Sequence, residues 1–242
     1  MRRAAGQSTG RPIITFGISL SASALVAAVG AGVLQPGATP VRLPYFDTAA
    51  IDTSSTTVGF ADSNLYAETP ADINRSLDAM QAMGVNNVRV LLPWASMEPL
   101  PGVDNWATAD YIVNAANQRG MGVLGVLNST PSWAIAPGQP VTYSTPPASD
   151  AQLAAFASQV ASRYAGKISA YEVWNEPNSY YGYYPTPDAA GYTRMLQAVY
   201  PAIKAADPNA TVVGGVLISV TDYGNLTVNP INYLNQMYAA GA

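Results

Sequence analysis

The sequence predicts an α/β fold built as part of a (β/α)8 barrel. Three observations carry this reading. From residue 57 onward, five short and almost wholly apolar runs alternate with amphipathic segments. Strands that are apolar on both faces and separated by helices form parallel sheets covered by those helices. No Gly-rich phosphate fingerprint follows the first run, and no Walker pattern occurs anywhere, which argues against a doubly wound nucleotide fold. A complete barrel needs eight units and about 250 residues. Only about 185 residues follow position 56, enough for the five units counted.

The first strand is expected near Val58–Ala61. Thr69-Pro70 supplies an N-cap and a proline at the first helical position, and Ile73, Leu77 and Met80 mark one helical face before Gly84. The second strand is Val88–Leu92, followed by a helix over about 107–119 that stops at Gly120. The third strand is Val123–Leu127, and a proline-rich loop leads to a helix with Leu153, Phe156, Val160 and Tyr164 inward. The fourth strand runs from Tyr171 into Trp174-Asn175-Glu176 and is stopped by Pro177. Thr186-Pro187-Asp188 opens the next helix, Val212–Ile218 forms the fifth strand, and a last helix begins near Pro230.

Ahead of this domain, Arg2, Arg3 and Arg11 precede an uncharged stretch over Ile13–Leu34. Residues 1–34 read as a cleaved export signal, with an uncleaved membrane anchor as the alternative. Residues 35–56, rich in Pro, Thr and Ser, read as a linker, so the barrel domain is 57–242. A secreted or envelope-associated protein is expected.

Composition narrows the chemistry. The 242 residues are 49% hydrophobic and 11% charged, which fits one well-buried domain. A net charge of −4 disfavours nucleic acid as a partner. The chain has no histidine and no cysteine, which excludes His triads, His or thiolate metal sites, thiolate nucleophiles and disulfides.

What remains is carboxylate chemistry. Asn175 and Glu176 stand side by side at the C-terminal mouth of the fourth strand. Glycosidic hydrolysis needs an acid to protonate the leaving oxygen and a neighbour that binds the sugar's 2-hydroxyl. An amide can bind that hydroxyl while staying neutral, and a desolvated carboxyl stays protonated near neutral pH. The alternative is that Asn-Glu-Pro merely ends a strand. Arg89 lies within an apolar strand and needs a carboxylate partner, with Glu172 or Asp62 in reach. Trp94, Trp133 and the run Tyr180-Tyr181-Gly182-Tyr183-Tyr184 fall in loops after strands, where aromatic faces either stack on sugars or anchor the loops. Glu98 reads as a structural partner.

Asn175-Glu176-Pro177, with Arg89, Trp94 and Glu98-Pro99, resembles the clan A glycoside hydrolases, which are retaining enzymes on (β/α)8 barrels. Thr130-Pro131-Ser132-Trp133-Ala134 most resembles family 39, the β-xylosidase and α-L-iduronidase group, with family 5, the cellulase group, as the rival. The resemblance implies Glu176 as general acid/base and Asn175 as the 2-hydroxyl ligand. It implies Arg89, Trp94, Trp133 and Tyr183 as substrate-site residues, an oligo- or polysaccharide substrate, and no metal or organic cofactor. It also places the nucleophile on a seventh strand, which these five units do not reach. Glu172 sits four residues before Glu176, which on a continuous strand sets their Cα atoms about 13 Å apart. A retaining pair needs carboxyl groups about 5–5.5 Å apart, so Glu172 reads as the partner of Arg89. Asp222 and Asp62 are weaker candidates for the nucleophile. The expectation is a barrel domain truncated before strand six and inactive by itself. The alternatives are a non-catalytic carbohydrate-binding or interaction protein, and an inactive remnant.

Overall fold

The computed structural model describes residues 57–242. The leader and linker read from residues 1–56 lie outside the described residues. Five strands form one sheet: β1 (Gly59–Asp62), β2 (Asn87–Pro93), β3 (Gly122–Asn128), β4 (Ala170–Val173) and β5 (Thr211–Gly214). Their spatial order is the chain order, and every neighbouring pair is parallel. A doubly wound sheet reverses its strand order at a switch point. The unbroken succession is that of a barrel wall, so the fold is a partial (β/α)8 arrangement.

Helices α1 (Pro70–Ala82), α3 (Ala107–Gln118), α4 (Asp150–Arg163), α5 (Ala189–Ala206) and α6 (Pro230–Ala239) flank the sheet, with a single turn, α2 (Trp94–Met97), directly after β2. Helix α1 starts where its sequence said. Thr69 Oγ1 accepts from the Asp72 N–H and donates to the Asp72 carboxylate at 2.6 Å, a reciprocal cap. Gly84 and Gly120 follow α1 and α3 with φ of +81° and +71°, the left-handed conformation that ends helices and suits glycine.

Strand β2 shows how the two faces differ. Val88, Val90 and Leu92 are buried in the core that the helices close, while Arg89 and Leu91, on the concave side, are half-buried. All four residues of β4 are buried, whereas the outer strands β1 and β5 remain largely open among the described residues. The fifth strand is shorter than the apolar run predicted. Regular pairing ends at Gly214, and 215–218 continue as irregular backbone. That segment instead bonds to the turn that follows β4.

Candidate active site

Strand β4 ends at Val173, three residues before Glu176. The cause is backbone geometry. Trp174 and Glu176 have φ of +71° and +50°, and Ser129, just past β3, has φ of +65°. These are the described non-glycine residues in the left-handed region, which costs about 1–2 kcal/mol each. Such strain persists only where the surroundings over-determine it. Here the Trp174 N–H donates to Leu127 O at 2.9 Å and its indole Nε1 to Gly182 O at 2.6 Å. The Glu176 N–H donates to Val216 O at 2.9 Å. Gly182 lies so close beneath the turn that a Cβ there would sit 2.1 Å from Glu176 O. The strand-spacing expectation for Glu172 and Glu176 therefore fails in its premise, because the chain turns at Trp174.

Arg89 and Glu172 occupy the same face of the sheet. The register sets Arg89 level with Ala170, two residues before Glu172. The guanidinium meets Glu172 in a fork: Nε to Oε2 at 2.7 Å and Nη2 to Oε1 at 2.9 Å. Its Nη2 also donates to Asn175 Oδ1 at 2.7 Å. Glu172 Oε1 accepts a further bond from the Val216 N–H at 2.9 Å. Of the two partners proposed for Arg89, Glu172 is the observed one; Asp62 instead accepts from the Asn64 N–H. Arg89 thus fixes the Asn175 amide, whose NH2 makes no hydrogen bond among the described residues.

Glu176 is half-buried and its carboxylate makes no hydrogen bond among the described residues. Burial raises its pKa; the Arg89 charge opposes that shift, and the nearby Glu172 carboxylate adds to it. A carboxyl biased toward its protonated form, beside an oriented amide, is equipped to give a proton to an oxygen bound between them.

The aromatic residues divide differently from the expectation. Trp94 is fully buried, stacked on Phe156 at 5.5 Å and edge-on to Trp133 at 5.5 Å. Its Nε1 donates to Glu98 Oε2 at 2.8 Å, and the other Glu98 oxygen accepts from the Gly102 N–H. Tyr183 is 7% exposed and packs edge-on to Trp174. Neither Trp94 nor Tyr183 presents a face to a sugar; both anchor loops, because one rigid aromatic buries more area than the small residues around it. Trp133 stays half-buried, with Nε1 donating to Glu98 O at 3.0 Å. The exposed member of the tyrosine run is Tyr181, at 69%.

Sequence reasoning missed Tyr143. It lies in the loop between β3 and α4, its hydroxyl is hydrogen-bonded to Asn128 Nδ2, and it interacts electrostatically with Arg89 and Glu176. Burial raises its pKa although half the residue is exposed, since the hydroxyl is bonded to the buried Asn128. Nothing in a proline-rich loop signals that return. Val216 and Gly182 were also invisible, since they act through backbone atoms and the absence of a side chain.

Residues 47–240 match the family model for cellulase, glycosyl hydrolase family 5. The chain belongs to that family. No curated protein sequence matches this family 5 chain. Among solved structures, it resembles a family 39 glycoside hydrolase from the gut symbiont Bacteroides cellulosilyticus WH2, with a TM-score of 0.52 and 22% identity over 64% of this chain and 30% of the other. It also resembles an exo-β-1,4-mannosidase from Opitutaceae bacterium strain TAV5, with a TM-score of 0.52 and 20% identity over 66% of this chain and 32% of the other. A GH5_18 structure from Streptomyces cattleya in complex with GlcNAc scores 0.52 at 16% identity, over 66% of this chain and 44% of the other. At these identities the likeness is one of fold. The chain spans less than half the length of each of these proteins. The family model thus matches the rival reading, family 5, and the preference for family 39 drawn from residues 130–134 has only a shared fold behind it.

Proposed function

We propose that this domain carries the acid/base half of a retaining β-glycosidase site. Glu176 protonates the leaving oxygen and later takes a proton from water, and Asn175 donates to the 2-hydroxyl of the sugar. The observation that carries this reading is the three-way junction of Arg89, Glu172 and Asn175, which aims the amide beside a carboxyl whose pKa burial raises. The nucleophile comes from residues other than those described. Glu172 is committed to Arg89 and the Val216 N–H, and Asp222 to Asn229 and Asn232. The substrate is a neutral β-linked oligo- or polysaccharide met outside the cytoplasm, as the basic, then apolar, character of residues 1–34 suggests.

The test is turnover of aryl β-glycosides by the purified 242-residue chain. Residues 1–242 acting alone are expected to show none. Turnover that disappears in Glu176→Gln would place a working nucleophile within residues 1–242 and overturn the half-site reading. With the nucleophile supplied by a longer chain, Glu176→Gln is expected to remove turnover of poor leaving groups by about two to four orders of magnitude. A second reading, non-catalytic carbohydrate binding, is favoured by the exposed Tyr181, whose ring lies 3.9 Å from that of Tyr180. Saturable sugar binding lost in Tyr181→Ala and kept in Glu176→Gln would support it.

A further inference from the structure

Asn178 lies two residues beyond Glu176 and is 0% exposed. A carboxamide taken out of water needs partners for two donors and an acceptor. Here it finds them in backbone far away in sequence. Its Nδ2 donates to Ile218 O at 2.9 Å and to Val228 O at 2.8 Å, and its Oδ1 accepts from the Ile218 N–H at 2.9 Å. Its own carbonyl accepts from the Val228 N–H at 2.9 Å. The side chain thus pairs with both backbone groups of Ile218, much as a residue of a neighbouring antiparallel strand does.

This surrogate stands where regular pairing stops. Strand β5 ends at Gly214, and 215–218 leave the ladder. The Tyr192 hydroxyl accepts the Gly215 N–H. The Val216 N–H donates to Glu172 Oε1 and its carbonyl accepts from the Glu176 N–H, both at 2.9 Å. Ile218 is then taken up by Asn178. From the other side, the Tyr180 N–H donates to Leu226 O at 2.8 Å. The turn over 176–180 is therefore clasped between 216–218 and 226–228, and the Asn178 side chain bonds to both segments. The residue type is dictated by this place. Asp offers no donor, Leu offers neither donor nor acceptor, and Gln carries its amide one methylene too far.

We propose that Asn178 is a positioning residue for Glu176: its side chain fastens 216–218 to the turn, so that the Val216 backbone stays within reach of both Glu172 and Glu176. Glu176 sits at φ +50°, a conformation that persists only under outside support. The charged and titratable groups that face its carboxyl are Arg89, Glu172 and Tyr143. Asn178 is hydrogen-bonded to none of them and acts through backbone. The naming of Glu176 as the acid rests on the glycosidase reading, while the clasp stands without it.

The experiment is NMR on the full 242-residue chain. In the unaltered protein, native-state hydrogen exchange should show the amides of Glu176, Val216, Ile218 and Val228 opening as one unit, with a shared denaturant dependence. Asn178→Ala removes three side-chain bonds. It should speed exchange at Glu176 and Val216 by at least about tenfold, near the worth of one hydrogen bond. Carboxyl titration should also show the raised Glu176 pKa falling toward the ordinary glutamate value as water reaches it. Ile112→Ala opens a cavity under α3 and should lower the melting temperature while leaving the Glu176 titration unmoved. The proposal is overturned if Asn178→Ala behaves like Ile112→Ala, melting lower with the Glu176 titration and the Val216 protection intact. It is also overturned if Ile218 and Val228 in the unaltered protein open far more readily than Glu176 and Val216, a result that decides the matter even if Asn178→Ala does not fold. A lowered Glu176 pKa in Asn178→Ala, alongside a longer chain that keeps its turnover in Glu176→Gln, would leave the clasp standing and remove the glycosidase reading. An unmoved pKa, alongside turnover lost in Glu176→Gln, would do the reverse.

Discussion

Glu172 and Glu176 are four residues apart and have opposite circumstances. Glu172 sits in the body of β4, 3% exposed, with both oxygens engaged by Arg89 and one also by the Val216 N–H. Glu176 sits in a strained turn, half-buried, with neither oxygen hydrogen-bonded among the described residues. The first carboxylate is fully engaged by hydrogen bonds, while burial raises the pKa of the second. The acid role proposed for Glu176 requires the second condition, and the first supplies a rigid neighbour for it.

The contrast breaks most completely at Glu172. Glu172→Ala leaves Arg89 without its counter-ion in a largely buried position, and should destabilise the fold by about 3–5 kcal/mol in urea denaturation. A loss under about 1 kcal/mol would mean the pair contributes little. Gly182→Ala comes next. Its Cβ would press on the backbone beneath Glu176, so we expect a loss of about 1–3 kcal/mol together with shifted amide resonances for Asn175 and Glu176. Asn175→Ala follows, removing one charge-assisted bond to Arg89 at a half-exposed site, with an expected loss of about 1 kcal/mol and weakened sugar binding.

The smallest effect should have the opposite sign. The folded-state pKa of Glu176 is raised, so the folded chain holds this proton more tightly than the unfolded chain. Stability from this group is therefore intact below the usual glutamate range and declines as pH rises toward the raised value. Glu176→Gln should match the parent near pH 4 and exceed it slightly at pH 7, by less than about 1 kcal/mol given its partial exposure. Melting curves at the two pH values decide this, and a parent more stable than the variant at pH 7 would contradict the raised pKa.

Much of this arrangement was legible in the residues, for identifiable reasons. The strand and helix order followed from apolar runs and caps, because Thr69, Pro70, Gly84 and Gly120 act locally and in the way their types dictate. The Arg89–Glu172 pair was legible because a guanidinium in an apolar strand has few ways to be satisfied. The strand end at Val173 was not, since tertiary hydrogen bonds to Leu127, Gly182 and Val216 override the extended preference of Tyr-Glu-Val-Trp. Trp94 and Tyr183 were misplaced because an aromatic residue after a strand carries the same sequence signal whether it faces ligand or core. Tyr143 was missed because a long loop leaves no periodicity to follow.

Val216 has a consequence for how this site can vary. Its N–H donates to Glu172 and its carbonyl accepts from the Glu176 N–H, so one residue ties both carboxylate positions together without using its side chain. Substitutions at 216 should therefore be broadly permitted, with proline the exception because it lacks the donor. The join between the two acids is thus written in a position free to change its letter, and a search for invariant side chains would pass over it.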